Sequence, residues 1–244
     1  MIYLLIDNSN TRTKFVLSSP EGLLDKRCMI PTRELCGERL ALALEGWKYD
    51  FALICSVVPR VAEVLCDWLS CPFHVLSCES NLGIGIRYPL PKQIGADRLA
   101  NAVGVVAYYG APSVVVDFGT AVTFDVVSDD GFYLGGVIAP GLASMGDYLV
   151  RNTALLPAVD PREPDCAIGK STEQAIHAGS IYGYRGLVKE ILVRIEEEMP
   201  GRPYVVATGG DAELIAKGVS RIDAVDGNIT LNGMRLVANL NVQG

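Results

Sequence analysis

One short pattern occurs twice in the chain and limits the folds that the chain can adopt. An apolar strand ends in Asp, a turn of small or polar residues carries Thr, and a second strand follows. The first copy covers Tyr3–Leu17 and the second Val114–Val127. In each copy, a carboxylate stands beside backbone N–H groups and hydroxyls that can bind phosphate oxygens. Two such hairpins, one in each half, indicate a duplicated fold that binds a nucleotide and its metal ion.

The segments around the hairpins predict an α/β organisation. Three predicted strands are followed by alternating helices and strands, which is typical of a mixed sheet with helices on its faces. A helix predicted over 96–109 ends at Gly110, and the same order restarts at Ser113. We therefore place one domain at residues 1–111 and a second at 112–244. The Gly- and Pro-rich segment 80–94 is predicted to be a long loop, and loops of that length are often functional.

Composition excludes several classes of function. The 244 residues carry a formal net charge of −7, which argues against a nucleic-acid partner because such a partner needs a basic face. No stretch approaches the roughly 20 apolar residues of a membrane span. Seven cysteines without a C-x-x-C pair, and an apolar N-terminal run too short for a signal peptide, predict a reduced cytoplasmic protein. The two histidines lack the neighbours that a zinc site or a Ser-His-Asp hydrolase requires.

The first hairpin offers groups for binding a phosphate and a metal. Asp7 suits a hydrated magnesium ion, because Mg²⁺ is usually held by one or two carboxylates together with substrate phosphates. Asn10, Thr11 and the backbone N–H groups would contact phosphate oxygens, and Lys14 would add a positive charge. The alternative is a polar β-turn without a ligand, since Asn and Ser favour such turns by themselves.

The second hairpin makes the stronger case for a site. Asp117 follows three valines, and a carboxylate there is costly to bury unless it meets a cation or several hydrogen-bond donors. Gly119 allows the backbone to approach a ligand closely. Asp117 is therefore interpreted as part of a binding site.

The sequence Gly95-Ala96-Asp97-Arg98 marks the start of a predicted helix. Asp97 has two interpretations, because an acidic residue in the first turn of a helix is stabilised by free N–H groups and needs no further role. The functional alternative is that Asp97 takes a proton from a substrate hydroxyl while Arg98 holds a polar or anionic part of the same substrate.

Two glycine-containing segments carry less information. Gly169–Thr172 looks like the end of a P-loop, but the Walker pattern requires a Gly where Pro164 stands. The following helix has a stripe of small residues that suits core packing or, alternatively, a subunit interface. Thr208–Gly210 lies between a predicted strand and a helix, where such turns are common for steric reasons.

Taken in order, these motifs resemble those of the type III pantothenate kinases, a family within the superfamily of actin, sugar kinases and heat-shock chaperone ATPases. The resemblance runs nearly end to end and rests on Asp7–Lys14, Tyr88, Gly95–Arg98, Asp117–Ala121, Gly135–Gly141, Thr172 and Thr208–Gly210. It implies two duplicated ribonuclease-H-like domains, each a mixed five-stranded sheet flanked by helices, with a nucleotide cleft between them.

The resemblance also implies an activity, which is ATP-dependent phosphorylation of pantothenate to 4'-phosphopantothenate, the first step of coenzyme A biosynthesis. On this basis Asp97 is the general base. Asp7 would hold Mg²⁺ through water, and Asp117 would bind a monovalent cation, K⁺ or NH₄⁺. The ATP-binding residues would be Asp7, Asn8, Ser9, Asn10, Thr11, Arg12, Thr13, Lys14 and Thr120. The pantothenate-binding residues would be Tyr88, Gly95, Ala96, Asp97, Arg98 and, from the neighbouring subunit of a homodimer, Thr172.

The chain departs from the family pattern at Ser9, where the family usually has Gly. If the turn requires a positive φ, a serine there costs about 1 kcal/mol and weakens nucleotide binding slightly. Two alternatives remain open. One is a related kinase of the superfamily for another small hydroxyl substrate, and the other is a non-catalytic member that binds a nucleotide or a protein partner.

Overall fold

The computed structural model describes residues 1–242. Its strands are β1 (Tyr3–Asn8), β2 (Arg12–Ser18), β3 (Leu23–Pro31), β4 (Phe51–Ser56), β5 (Phe73–Val75), β6 (Gly85–Ile86), β7 (Ser113–Phe118), β8 (Ala121–Val127), β9 (Phe132–Pro140), β10 (Tyr204–Gly209) and β11 (Ala224–Val225). Its helices are α1 (Gly37–Ala43), α2 (Pro59–Trp68), α3 (Ala96–Tyr109), α4 (Leu142–Asn152), α5 (Thr172–Glu197), α6 (Ala212–Ala216) and α7 (Ile229–Asn241), with 3-10 turns at Thr32–Glu34 and Pro91–Gln93.

The first sheet has five strands in the order β3-β2-β1-β4-β5. β1 is antiparallel to β2 and parallel to β4, so the sheet is mixed. Alternate residues of its central strands, such as Leu4 and Ile6, point to one face and are fully buried against Leu40 of α1 and Leu65 of α2. All six residues of β1 are buried, and Asp7 lies next to the last of them, Asn8.

The second sheet has the order β11-β10-β7-β8-β9-β6. β7 is antiparallel to β8 and parallel to β10, as β1 is to β2 and β4. The series β9-β8-β7-β10-β11 therefore repeats the topology of the first sheet and supports the predicted duplication. The prediction of five strands in each sheet is confirmed for the first sheet. The second has a sixth strand, because Gly85–Ile86 in the segment predicted as a loop pairs with Phe132 and Tyr133.

The chain divides into two compact units. Of the described residues, the first contains 1–109, 131–134 and 228–242, and the second contains 110–130 and 135–227. Helix α7 joins the first unit because it packs closely on α3, where a Cβ on Gly233 would overlap the carbonyl of Ala100. The predicted domains 1–111 and 112–244 follow the duplication instead, and that division stays a prediction.

Helix α3 has the bounds predicted from the sequence, residues 96–109. The 3-10 turn Thr32–Glu34 lies between β3 and α1. The backbone N–H of Thr32 donates to the carbonyl of Thr11, which ties this turn to the first hairpin. Among residues 1–242, no helix has the length and apolar character needed to cross a membrane.

Candidate active site

The first hairpin places Asp7 and Lys14 side by side. These residues are cross-strand partners in β1 and β2, and Lys14 Nζ lies 3.1 Å from Asp7 Oδ2. Asp7 is buried, whereas half of the Lys14 side chain is exposed. The cation therefore offsets the cost of placing a carboxylate at the end of a buried strand.

The turn of this hairpin closes through Ser9. Both its backbone N–H and its hydroxyl donate to the carbonyl of Arg12, each at 3.0 Å. No residue other than glycine has a positive φ in the part of the chain that the structure describes. The expected strain at Ser9 is therefore absent, and the replacement of Gly at this position carries no cost of that kind. Asn10, Thr11 and Arg12 are exposed at the tip.

Asn8 and Thr13 lie beneath the turn with almost no exposure. The Asn8 amide nitrogen donates to Thr13 Oγ1 at 2.8 Å, so these two side chains are bound to each other. Thr13 Oγ1 also lies 3.1 Å from Thr32 Oγ1, so both of these predicted ATP-binding side chains are engaged within the protein.

Asp97 lies in the first turn of α3, where its Oδ1 accepts the backbone N–H of Arg98 at 2.8 Å. Burial raises the pKa of Asp97, the Arg98 N–H opposes that shift, and the nearby Asp7 carboxylate adds to it. Asp97 is therefore bonded to a free N–H group of the first helical turn, as its non-catalytic interpretation predicts. Capping alone lowers the pKa of a carboxylate, so the raised pKa reports a desolvated site in addition.

Cys55 is a buried thiol next to Asp7 in the first sheet. It is the partner of Asp7 in the β1–β4 register and is buried. Burial raises the pKa of its thiol well above the ordinary value, and the charges of Asp7 and Asp97 raise it further. The charges of Asp7 and Asp97 thus both affect the Cys55 thiol.

Tyr133 connects two predicted pantothenate-binding residues of the same unit. Its ring packs edge-on against Tyr88 with centroids 6.3 Å apart, and the guanidinium of Arg98 lies 5.8 Å from its centre. Tyr133 is fully buried. Sequence reasoning missed this residue, and the only signal was an aromatic residue just before the glycines of Gly135–Gly141.

In the second unit, three separate segments meet at the second hairpin. Thr208 pairs with Asp117 in the parallel β7–β10 ladder. Gly209 has a φ of +93°, and a Cβ there would stand 2.7 Å from Asp117 Oδ1. Gly141 donates its N–H to the carbonyl of Thr120 at 3.1 Å. Gly141 and Gly209, which belong to two different segments of the resemblance, therefore lie beside Thr120 and Asp117 respectively.

Thr172 begins α5 and lies at an open groove between α4 and α5, elsewhere in the second unit. The groove has a volume of about 740 Å³ and is lined mainly by apolar side chains, including Met145, Tyr148 and Ile176. Gly179, Gly183 and Gly186 are exposed along α5, so this small-residue stripe is not used for packing within the chain.

A family model described as type III pantothenate kinase matches residues 3–194. A type III pantothenate kinase from Akkermansia muciniphila is 69% identical over 242 residues, which is 99% of this chain and 100% of the relative. The chain belongs to the type III pantothenate kinase family. As a family member, it is an enzyme of the phosphotransferase class.

Solved structures resemble the chain at the level of the fold. A Campylobacter jejuni protein described as a Baf family transcriptional activator has a TM-score of 0.67 at 22% identity, covering 99% of this chain and 100% of that chain. The activator of 2-hydroxyisocaproyl-CoA dehydratase from Clostridium difficile, solved with bound ADPNP, has a TM-score of 0.55 at 13% identity, covering 100% and 95%. The TM-scores support the predicted fold class. At identities this low, the similarity gives no information about the substrate.

Proposed function

We infer that this protein transfers a phosphoryl group from ATP to the primary hydroxyl of pantothenate, forming 4'-phosphopantothenate for coenzyme A biosynthesis. The observation that carries this inference is the match to the family over nearly the whole chain, at 69% identity to one relative. The site geometry supports it, because the chain has a desolvated carboxylate next to a guanidinium at the start of α3.

Asp97 is proposed as the general base. A carboxylate whose pKa is raised by burial accepts a proton more readily than an ordinary Asp. It would accept the hydroxyl proton of pantothenate as that oxygen attacks the terminal phosphorus of ATP. Phosphoryl transfer depends mainly on positioning and charge neutralisation, so few other catalytic side chains are needed.

The pantothenate site is proposed around Asp97. Arg98 would bind the carboxylate of pantothenate, and its stacking on the buried Tyr133 ring limits its rotamers. Tyr88, Gly95 and Ala96 would line the remaining surface. The pairing of Tyr88 with the same ring supports a single preorganised pocket wall.

ATP is proposed to bind the turn of Asp7–Lys14 and Thr120. Lys14 would contact the phosphates, and its present neighbour Asp7 would face the divalent ion through water. In residues 1–242, no group of three or more His, Cys, Asp or Glu side chains could hold a metal. A lone carboxylate fits Mg²⁺, which takes its remaining ligands from water and nucleotide phosphates. Bound Mg²⁺ would supply charge neutralisation of those phosphates.

Asp117 is proposed as the ligand of a monovalent cation, K⁺ or NH₄⁺. Its carboxylate is partly buried, and the close approach at Gly209 brings the carbonyl of Phe118 to the same place. Oxygen ligands of this kind suit a hard monovalent cation. The ion would hold the second hairpin in one arrangement without taking part in proton transfer.

A homodimer is proposed, in which Thr172 completes the pantothenate site of the partner subunit. The apolar groove and the exposed glycine stripe of α5 support it, because large exposed apolar patches mark interaction surfaces. A cytoplasmic location is also proposed, supported by the seven cysteines that are present as free thiols.

A coupled ADP-release assay tests the proposed activity. Pantothenate, a hexose and a short hydroxy acid are each supplied with ATP and Mg²⁺, with and without K⁺. ADP release that requires pantothenate and increases with K⁺ is expected. Turnover with the hexose instead would favour the related-kinase alternative. ATP binding without turnover on any substrate would favour a non-catalytic member.

A further inference from the structure

A chain of hydrogen bonds runs beneath the first hairpin and ends on its turn. Ser56 Oγ lies 2.6 Å from Asn8 Oδ1, and Asn8 Nδ2 lies 2.8 Å from Thr13 Oγ1. Thr13 Oγ1 lies 3.1 Å from Thr32 Oγ1, which lies 2.7 Å from the carbonyl oxygen of Ser9. Asn8, Thr13 and Thr32 are buried, so the two bonds that join their side chains to one another are shielded from water.

The chain of bonds has one direction. The Ser9 carbonyl can only accept, so the Thr32 hydroxyl donates to it and accepts from Thr13. Thr13 has then used its hydrogen and accepts from the Asn8 amide. Hydrogen bonds aligned in this way polarise one another, and the removal of one leaves its buried neighbours unsatisfied.

We propose that Thr32 is a positioning residue for the nucleotide-binding turn. Its hydroxyl holds the Ser9 carbonyl, and its backbone N–H donates to the Thr11 carbonyl at 3.0 Å. Thr32, which follows Ser9 by 23 positions in the sequence, thus forms hydrogen bonds with both ends of the segment Ser9–Thr11. This inference rests on the proposed role of that turn in binding ATP.

Thr32 contributes to the preorganisation of the turn. The tip residues Asn10, Thr11 and Arg12 are exposed, Ser9 donates twice to Arg12, and the Ser9 carbonyl also lies 3.5 Å from Asn8 Nδ2. Without the Thr32 hydroxyl, the Ser9 carbonyl would lose the shorter of its two contacts with buried side chains, the one at 2.7 Å. Backbone donors that must be ordered by the ligand bind it more weakly than donors already held in place.

The test compares the deletion of the Thr32 hydroxyl, below the turn, with the deletion of the Ser18 hydroxyl, at the end of β2. Thr32→Val removes the hydroxyl below the turn with little change in volume, and Thr32→Ser keeps it. Ser18→Ala is the matched control, because Ser18 is fully buried and its Oγ donates to the carbonyls of Ser19 and Gly22, away from the turn. ATP dissociation constants are measured by calorimetry on each folded variant, together with Tm and both KM values.

Thr32→Val is expected to raise the Kd and KM for ATP about three- to tenfold, the range of one buried hydrogen bond. The KM for pantothenate should stay within about twofold of the wild type. Thr32→Ser should restore ATP affinity. Ser18→Ala should lower Tm and leave the ATP affinity unchanged. If Thr32→Val does not fold, Thr13→Val is measured and should weaken ATP binding in the same direction.

Three results would overturn the inference: unchanged ATP affinity in Thr32→Val, no rescue in Thr32→Ser, or equal weakening in Ser18→Ala. The proposed activity fails separately. A wild-type protein that binds ATP but leaves pantothenate unphosphorylated contradicts the kinase assignment, and the comparison of ATP affinities still decides the role of Thr32. A wild-type protein that binds no ATP overturns both.

Discussion

The carboxylate of Asp97 folds back over Gly95, and a Cβ on that glycine would stand 2.6 Å from Asp97 Oδ1. The same oxygen accepts the N–H of Arg98 at 2.8 Å. The absence of a side chain at position 95 therefore allows the proposed base to adopt its orientation. Gly95 is required here for space, since its φ lies outside the left-handed region.

Gly95→Ala is expected to displace the Asp97 carboxylate and lower kcat about 100-fold, because small misplacements of a reacting group have effects of that order. Steady-state kinetics and circular dichroism of the variant give the measurement. Gly22→Ala is the control, since a Cβ at that position meets nothing within 4 Å. Equal kcat in the wild type and Gly95→Ala would show that the orientation of Asp97 is unimportant.

Asp97→Asn is expected to raise Tm at neutral pH. The folded-state pKa of Asp97 is raised, so the folded protein binds this proton more tightly than the unfolded chain does. The resulting stabilisation is complete below about pH 3.9, the ordinary value for Asp, and is lost as the pH rises through the raised pKa. Ionised Asp97 therefore destabilises the folded state at neutral pH, and Asn removes that penalty.

Thermal scans of Asp97→Asn and the wild type from pH 8 to pH 4 test whether the variant has the higher Tm. The Tm difference should be largest at pH 8 and shrink as the pH falls. Asp25→Asn, which changes an exposed carboxylate, should match the wild type throughout. A variant with a lower Tm than the wild type at pH 8 would contradict the desolvated state of Asp97.

Tyr133→Leu is expected to raise the KM for pantothenate about three- to tenfold, because Arg98 loses a cation–π contact and Tyr88 loses an edge contact. Tyr133→Phe keeps the ring and should retain the wild-type KM. The KM for ATP serves as the internal control and should not change in either variant. An equal rise of both KM values would indicate general loss of structure.

Subunit mixing tests the proposed shared site. Asp97→Asn and Thr172→Val are prepared separately, and each homodimer is expected to have little activity. In a mixed dimer, the subunit that keeps Asp97 receives an intact Thr172 from its partner, so activity should reappear after mixing. If mixing restores nothing while light scattering shows exchanged dimers, Thr172 does not act across a subunit boundary.

Much of the fold could be predicted from the sequence because local signals agreed with the tertiary structure. The apolar runs ending in Asp7 and Asp117 gave the two hairpins, and Gly110 marked the end of α3. These features depend on residues close together in the chain, where periodicity and turn preferences are informative.

The remaining features depend on contacts between distant segments. Strand β6 has two residues and forms only because β9 offers an edge, and α7 joins the first unit through close packing on α3. Tyr133 and Thr32 were missed for the same reason. Neither belongs to a local motif, and each reaches the site through partners far away in the chain.

The proposed phosphorylation of pantothenate depends most directly on Asp97 as the base. The decisive measurement is ADP release with saturating pantothenate, Mg²⁺ and K⁺ by Asp97→Asn, alongside calorimetric ATP binding and mass spectrometry of the product. We predict that ATP affinity is retained, while ADP release and phosphopantothenate formation fall to the background level. Wild-type turnover by Asp97→Asn, with phosphopantothenate as the product, would contradict the account.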